Sequence, residues 1–355
     1  MGNPIKIILY SIKEEFCSMA IKLAINGFGR IGRLTLRRIW EENESNVEIV
    51  AINDLTDNEF LAYLLKYDTA HGTFNHDIET TENGISIDGK EITVYSERDA
   101  NDLPWGDLGV DIVLECTGFY ATKEKSQAHI NAGAKKVIIS APADAETKTI
   151  VYGVNEDIIE AEDKIISGAS CTTNCLAPVV NVLEKEFGIK HGLMSTIHAY
   201  TSTQSLQDAP NGKKGNFRNG RAAAENAIPS STGAAKAVGR VIPSVNGKVD
   251  GTAIRIPIVT GSMTEFYSTL NTKVTVEEVN AAMEKYANPS FLYNTDEVVS
   301  SDIVGVPAGS IFDATQTKVI ESEDGQLVKT VAWYDNEAGF VSQFVRLIEF
   351  FAAKQ

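Results

Sequence analysis

The stretch Gly27-Phe28-Gly29-Arg30-Ile31-Gly32 limits the folds open to this chain more than any other feature. It follows Ala20–Ile25, a short apolar run that reads as a buried strand. It opens Ile31–Glu41, where Ile31, Leu34, Leu36, Ile39 and Trp40 are consistent with a helix. A second strand-like run, Val47–Ile52, leads to Asp54. A glycine turn in this context, with an acidic residue about 20 positions on, predicts a dinucleotide-binding βαβ unit. Gly27 permits the tight turn, Gly29 lets the backbone approach a pyrophosphate, and Gly32 allows helix and strand to pack closely. The helix start offers free N–H groups to the phosphates. Asp54 can accept hydrogen bonds from ribose hydroxyls and would repel a 2′-phosphate, which favours NAD over NADP. A glycine turn that holds no ligand is the plainer alternative.

The first half continues to alternate. Val110–Cys116 and Lys136–Ser140 read as strands, with helix-like Lys123–Ala132 between them. Such alternation argues for a parallel sheet covered on both faces. Past Cys171 the pattern changes. Thr172–Phe187 carries Leu176, Val179, Val180, Leu183 and Phe187 on one helical face, and Gly188 ends it. Long strand-like segments follow at Leu193–Tyr200, Gly251–Pro257, Glu265–Leu270 and Leu327–Tyr334. Ala222–Ala227 extended through Gly233–Val238, and Val276–Tyr286, read as helices between them. The fold class expected is therefore α/β: a Rossmann-type dinucleotide-binding domain plus an α+β domain with a mixed sheet. Ala338–Ala353 has so broad an apolar face that it must dock on something.

A chain of 355 residues suits two domains of ordinary size. No apolar run approaches the roughly 20 residues of a membrane helix. The net charge of −16 repels a phosphate backbone, so nucleic acid is not expected as the main partner. Against that background the cluster Lys213, Lys214, Arg218 and Arg221 carries information. Four cysteines, Cys17, Cys116, Cys171 and Cys175, do not make a disulfide framework and fit a cytoplasmic protein in a reducing cytosol. Residues 1–18 are read as a translated leader or a mobile tail. Met19, directly before a strand-like segment, is the expected natural start.

Ser170-Cys171-Thr172-Thr173-Asn174-Cys175 sits where the chain enters a helix. N–H donors there favour a thiolate, so Cys171 is the candidate nucleophile, while Cys175 lies a turn deeper and reads as inert. Two thiols without further ligands complete no zinc site. On these residues alone, a reactive and a structural Cys171 stand level. Among five histidines, His71 and His76 fall in loop, His129 on a helix and His191 at a turn. His198 alone is read in a strand, sharing a face with Met194, Thr196 and Tyr200. It becomes the candidate base because a nucleophilic thiol needs one.

Asn26-Gly27-Phe28-Gly29-Arg30-Ile31-Gly32-Arg33, Ala169 through Cys175, Ser231-Thr232-Gly233-Ala234-Ala235-Lys236 and Trp333-Tyr334-Asp335-Asn336-Glu337 together resemble the glyceraldehyde-3-phosphate dehydrogenase family. The resemblance runs from Met19 to the C-terminus. It implies phosphorylating, NAD-dependent oxidation of glyceraldehyde 3-phosphate in glycolysis, by a cytoplasmic homotetramer, with Cys171 as nucleophile and His198 as base. It implies NAD contacts from Arg30, Ile31, Asp54, Arg98 and Asn336. Ser170, Thr172, Thr232, Gly233 and Arg218 would surround inorganic phosphate, and Thr201 and Arg255 would hold the substrate's own phosphate. The implied domains are residues 19–170 for NAD, 171–334 for catalysis, and 335–355 as a helix returning to the NAD domain. Three positions depart from the family pattern. Phe340 replaces a tyrosine, and Cys116 replaces a serine near the cofactor. The segment between Asp208 and Ala222 is longer than usual, which makes Arg221 a rival to Arg218. The rival functions are a related dehydrogenase acting on erythrose 4-phosphate, or a binding protein with a vestigial site.

Overall fold

The computed structural model describes residues 20–42, 46–211, 217–323 and 325–354. The expected leader, Met19, Cys17, Lys213 and Lys214 lie outside the described residues.

The first sheet is built from β1 (Ile21–Asn26), β2 (Val47–Asn53), β3 (Ile78–Thr80), β4 (Gly84–Ile87), β5 (Lys90–Tyr95), β6 (Ile112–Glu115), β7 (Lys136–Ile139), β8 (Lys148–Thr149) and β9 (Ile165–Ser167). Their order is β3-β4-β5-β2-β1-β6-β7-β9-β8. All pairings from β5 to β8 are parallel, and β3 and β4 add an antiparallel edge. Helices α1 (Arg30–Glu41), α2 (Asn58–Lys66), α3 (Trp105–Leu108) and α4 (Lys123–Asn131) belong to this half. β1 pairs with both β2 and β6. The glycine turn therefore leaves β1 where the strand order reverses, the place where such sheets leave a crevice.

The second half contains β10 (Ile189–Ala199), β11 (Ile228–Ser231), β12 (Val249–Ile256), β13 (Ser262–Leu270), β14 (Phe291–Asn294), β15 (Ser310–Asp313), β16 (Lys318–Ser322) and β17 (Gly325–Tyr334). They run β11-β12-β10-β13-β17-β15-β14, with β16 on β17. The sheet is mixed: β10 pairs parallel with β12 and antiparallel with β13. Helices α5 (Cys171–Phe187), α6 (Ala234–Val241) and α7 (Val276–Lys285) pack on it around one apolar core that includes Leu176, Val180, Val238, Phe266 and Met283. Helix α8 (Ala338–Ala353) sends Phe340, Phe344, Ile348 and Phe351 into the core of the first sheet, beside Leu23, Leu36 and Ile166.

Two local readings change. Ala222–Ala227 is not helical: Ile228–Ser231 is a strand, and the helix starts only at Ala234. Alanines favour helix, but Pro229 biases the residue before it toward extended backbone, and Pro is tolerated in β11 because that strand is an edge. His191 lies within β10 rather than at a turn, since Gly188, at φ 67°, turns the chain directly from α5 into that strand. His198 is therefore not the sole strand histidine. Helix α2 and the strands β3–β5 and β14–β16 are additions of the structure to the elements expected above.

Candidate active site

The chain reaches Cys171 through a constrained corner. Ala169 is fully buried and adopts φ 63°, a left-handed conformation that a Cβ disfavours by about 1–2 kcal/mol. Asn174 holds this corner by donating from Nδ2 to the carbonyls of Gly168 and Ser170, at 2.9 and 3.0 Å. Ser170 caps α5: its Oγ accepts from Thr173 N at 3.1 Å. The thiol of Cys171 thus stands at the N-terminus of a 17-residue helix. Cys175, one turn on, is fully buried beside Thr264 and Ser310, and burial pushes its thiol up to about 12.

His198 Nε2 lies 3.4 Å from Cys171 Sγ. Its Nδ1 lies 2.7 Å from the carbonyl oxygen of Ala199. The carbonyl can only accept, which favours a proton on Nδ1 and a lone pair on Nε2 toward sulfur, while Arg255 Nη1, a donor only, competes for the same Nδ1. Tyr334 packs edge-on against the imidazole, 5.8 Å between centroids. Arg255 is the direct neighbour of His198 in the β10–β12 pairing. Its Nη1 donates to Ala199 O at 3.0 Å and crowds Nδ1.

The electrostatics correct one expectation. Burial raises the Cys171 thiol above its ordinary value, against the lowering influence of Arg255, of the Thr172 hydroxyl and of the N–H groups of Thr172 and Cys171. Burial, then the Arg255 charge, holds His198 down at about 3. Both shifts favour a neutral thiol facing a neutral imidazole. The helix end eases proton loss from sulfur but does not by itself outweigh burial.

The glycine turn fits a dinucleotide. A Cβ at Gly32 would sit 2.4 Å from Gly27 O, and Gly27 itself has φ 94°. At Gly29 a Cβ would meet no protein atom within 4 Å, so the turn is open on the side a pyrophosphate would occupy. Gly29 caps α1 without a side-chain hydrogen bond, which leaves the helix N–H groups to a ligand. Asp54 Oδ2 accepts from Phe28 N at 2.7 Å and Oδ1 from Thr56 N at 3.0 Å. Each oxygen keeps lone-pair capacity for a ribose hydroxyl.

Comparison with known proteins decides the family. Residues 21–123 match the glyceraldehyde 3-phosphate dehydrogenase NAD binding domain, and residues 170–336 match the C-terminal domain of the same family. The chain is 59% identical to glyceraldehyde-3-phosphate dehydrogenase of Lactobacillus delbrueckii subsp. bulgaricus, over 94% of this chain and 99% of that protein. It is 57% identical to the protein of that name from Clostridium pasteurianum, over 93% and 98% of the two chains. For Streptococcus pyogenes serotype M1 the identity is 54%, over 94% and 99%. This chain belongs to the glyceraldehyde-3-phosphate dehydrogenase family.

The three departures expected from the resemblance have physical settings here. Phe340 is buried and meets Phe344 edge-on at 4.5 Å, so its ring serves the core under α8. Cys116 is pushed up to about 12 by burial, against a hydrogen bond with Ser140, and is a neutral thiol at physiological pH. Arg221 is paired with Asp208 at 2.9 Å, whereas Arg218 is exposed with no ion-pair partner among the described residues.

The remaining site residues fall into two groups. Near α6, Thr232 Oγ1 accepts from Ala234 N at 3.1 Å, and Gly233 is the N-cap with open space where a side chain would stand. Thr201 Oγ1 shares a hydrogen bond with Thr203 at 2.9 Å. Thr172 is turned inward, its hydroxyl 2.9 Å from Tyr334 Oη, so it offers a ligand its N–H more readily than its side chain. On the cofactor side, Ile31 is half-buried and Arg98 is exposed. Arg30 is engaged by Asp68 and Glu337. Asn336 is buried, with Oδ1 bonded to Ser262 Oγ at 2.8 Å.

Sequence reasoning missed several residues at the site. Tyr334 bridges Thr172 and Thr196, each at 2.9 Å. Ser262 and Thr260 meet Asn336. Asp335 caps α8 through Glu337 N and Ala338 N. The signal available was slight: polar residues on the buried face of β13 and β17, where alternation predicts apolar ones.

Proposed function

We propose that this protein oxidises D-glyceraldehyde 3-phosphate with NAD and inorganic phosphate to 1,3-bisphosphoglycerate, through a thiohemiacetal and a thioester on Cys171. The observation that carries this reading is the 3.4 Å contact between Cys171 Sγ and His198 Nε2 at the start of α5. The sulfur adds to the aldehyde carbon while its proton passes to the new hydroxyl. NAD, when bound, supplies the hydride acceptor. His198 Nε2 takes the hydroxyl proton as hydride leaves, which yields a thioester and an imidazolium. Phosphate then attacks the acyl carbon, the C–S bond breaks, and the imidazolium returns its proton to sulfur. The backbone N–H of Cys171, at the helix end, faces the developing oxyanion.

Charge supports the substrate's orientation. Arg255 and Thr201 hold the substrate phosphate, and Thr232, the Gly233 N–H, Ser170, the Thr172 N–H and Arg218 hold inorganic phosphate. A dianion beside Arg255 offsets the charge that keeps His198 low. The substrate that needs a base therefore strengthens it. Gly27, Gly29, Gly32, Ile31, Asp54 and Asn336 hold NAD, with Arg98 reaching from the surface, while Arg30 and Cys116 shape the site from behind.

Among the described residues no helix is long and apolar enough to cross a membrane, and Cys116, Cys171 and Cys175 are free thiols, in keeping with the cytoplasm. The outer face of the second sheet leaves Leu193 65% exposed beside half-buried Ile197, Met263 and Trp333, which supports burial of that face in a homotetramer. The deciding assay is NADH formation from glyceraldehyde 3-phosphate with and without inorganic phosphate. Turnover only with phosphate is expected. Phosphate-independent turnover would point to a hydrolytic dehydrogenase, and no turnover at all to a binding protein.

A further inference from the structure

Ser262 sits where the His198 strand meets the Asn336 loop, and it is 1% exposed. The N–H of Ala199 donates to Ser262 Oγ at 3.0 Å, and Ser262 Oγ lies 2.8 Å from Asn336 Oδ1. A backbone N–H can only donate, so it occupies one of the two lone pairs of Ser262 Oγ. The one hydroxyl proton goes to Asn336 Oδ1, the acceptor within hydrogen-bond distance. Thr260 Oγ1 lies 3.3 Å from the same oxygen but 2.7 Å from the carboxylate of Asp335, which takes its proton. Asn336 Nδ2, a donor only, is the amide atom this chain does not use.

We infer that Ser262 is a positioning residue for the cofactor: the relay from Ala199 N–H through the serine hydroxyl holds the Asn336 amide so that its N–H groups meet the carbonyl of the nicotinamide carboxamide. The inference rests on the proposed reading of Asn336 as a cofactor contact. The carbonyl of Ala199, in the next peptide group, lies 2.7 Å from His198 Nδ1. Residue 199 thus touches the base through one peptide group and the cofactor relay through the other.

The test is calorimetric titration of the full-length protein with NAD and with ADP-ribose, which lacks the nicotinamide. Ser262→Ala should weaken NAD by about tenfold, the scale of one buried hydrogen bond, and leave ADP-ribose within about twofold. Equal loss for both ligands would mean general damage and overturn the relay. Unchanged NAD affinity in Ser262→Ala would overturn it too, provided Asn336→Ala loses affinity. If Asn336→Ala binds NAD normally, the reading of Asn336 fails first and takes the relay with it. A measurement on the unaltered protein covers a variant that does not fold. The 3-acetylpyridine analogue of NAD keeps the carbonyl and lacks the amine, so it should bind within about threefold of NAD. Far weaker binding of that analogue would show that Asn336 presents its oxygen instead.

Discussion

At the residue scale, the proposed chemistry rests on the contact between Cys171 and His198. Cys171→Ser should preserve the fold and NAD binding but lower turnover by orders of magnitude, because a hydroxyl loses its proton far less readily than a thiol. A serine variant with near wild-type turnover would remove the covalent route. His198→Asn should lower the rate by about 10²–10⁴ and slow alkylation of Cys171 by iodoacetamide near neutral pH. Arg255 acts on the base by charge. In Arg255→Gln the imidazole of His198 should titrate higher than about 3, followed by NMR of the ring protons. An unmoved titration would mean that burial alone sets its basicity.

At the element scale, the thiol is presented by the junction between β9 and α5, and that junction is supported from outside. The left-handed Ala169 stores about 1–2 kcal/mol, offset by the Asn174 hydrogen bonds and by close packing under α8. Phe344 of α8 lies so near Gly168 that a Cβ there would come within 2.5 Å of its ring. The C-terminal helix thus buttresses the cysteine corner from the far end of the sequence. Phe344→Ala should cost about 3–5 kcal/mol in urea unfolding, since the ring is 1% exposed. It should also change the alkylation rate of Cys171 in the folded state. A stability loss with no change in that rate would mean the corner holds itself.

At the scale of the whole molecule, a charge network joins α1, the loop after α2 and the start of α8. Arg30 pairs with Asp68 and Glu337, and His71 Nε2 lies 3.1 Å from Glu337. Burial works against the charge on His71, but Glu337, Asp335 and Asp68 outweigh it and raise its pKa. Its contribution is complete below its unfolded value of about 6.5 and is lost as pH rises through the raised folded value. His71→Gln should therefore lose more thermal stability near pH 6 than near pH 9. Equal losses would mean that His71 is uncharged in the folded protein. Acid acts through other groups. His198, held at about 3, withholds its stabilising contribution progressively as pH falls from about 6.5 toward that value. Burial opposes ionisation of Asp68, but Arg30 and backbone N–H groups hold it at about 2, so its contribution is complete above its unfolded value of 3.8 and is lost as pH falls from there through about 2.

Local chemistry made much of this molecule readable in advance. The glycine turn, the strand–helix alternation and the cysteine at a helix start each depend on residues close in the chain, where spacing is geometry. That Cys175 lies a turn deeper than Cys171 and is buried was legible for that reason. The alanines of 222–227 favour helix, but Pro229 and the edge-strand pairing of β11 govern there. Sequence singled out His198 as the candidate base but gave no geometry for it, and left Arg255 without a geometric reason. Only the β10–β12 pairing sets those two side by side, 57 residues apart. The relay through Ser262, the support of Gly168 by Phe344 and the protonation of the thiol–imidazole pair were likewise decided in three dimensions. Hydrogen-bond direction and burial belong to neighbours in space, and the amino-acid order specifies those neighbours only through the folded sheets.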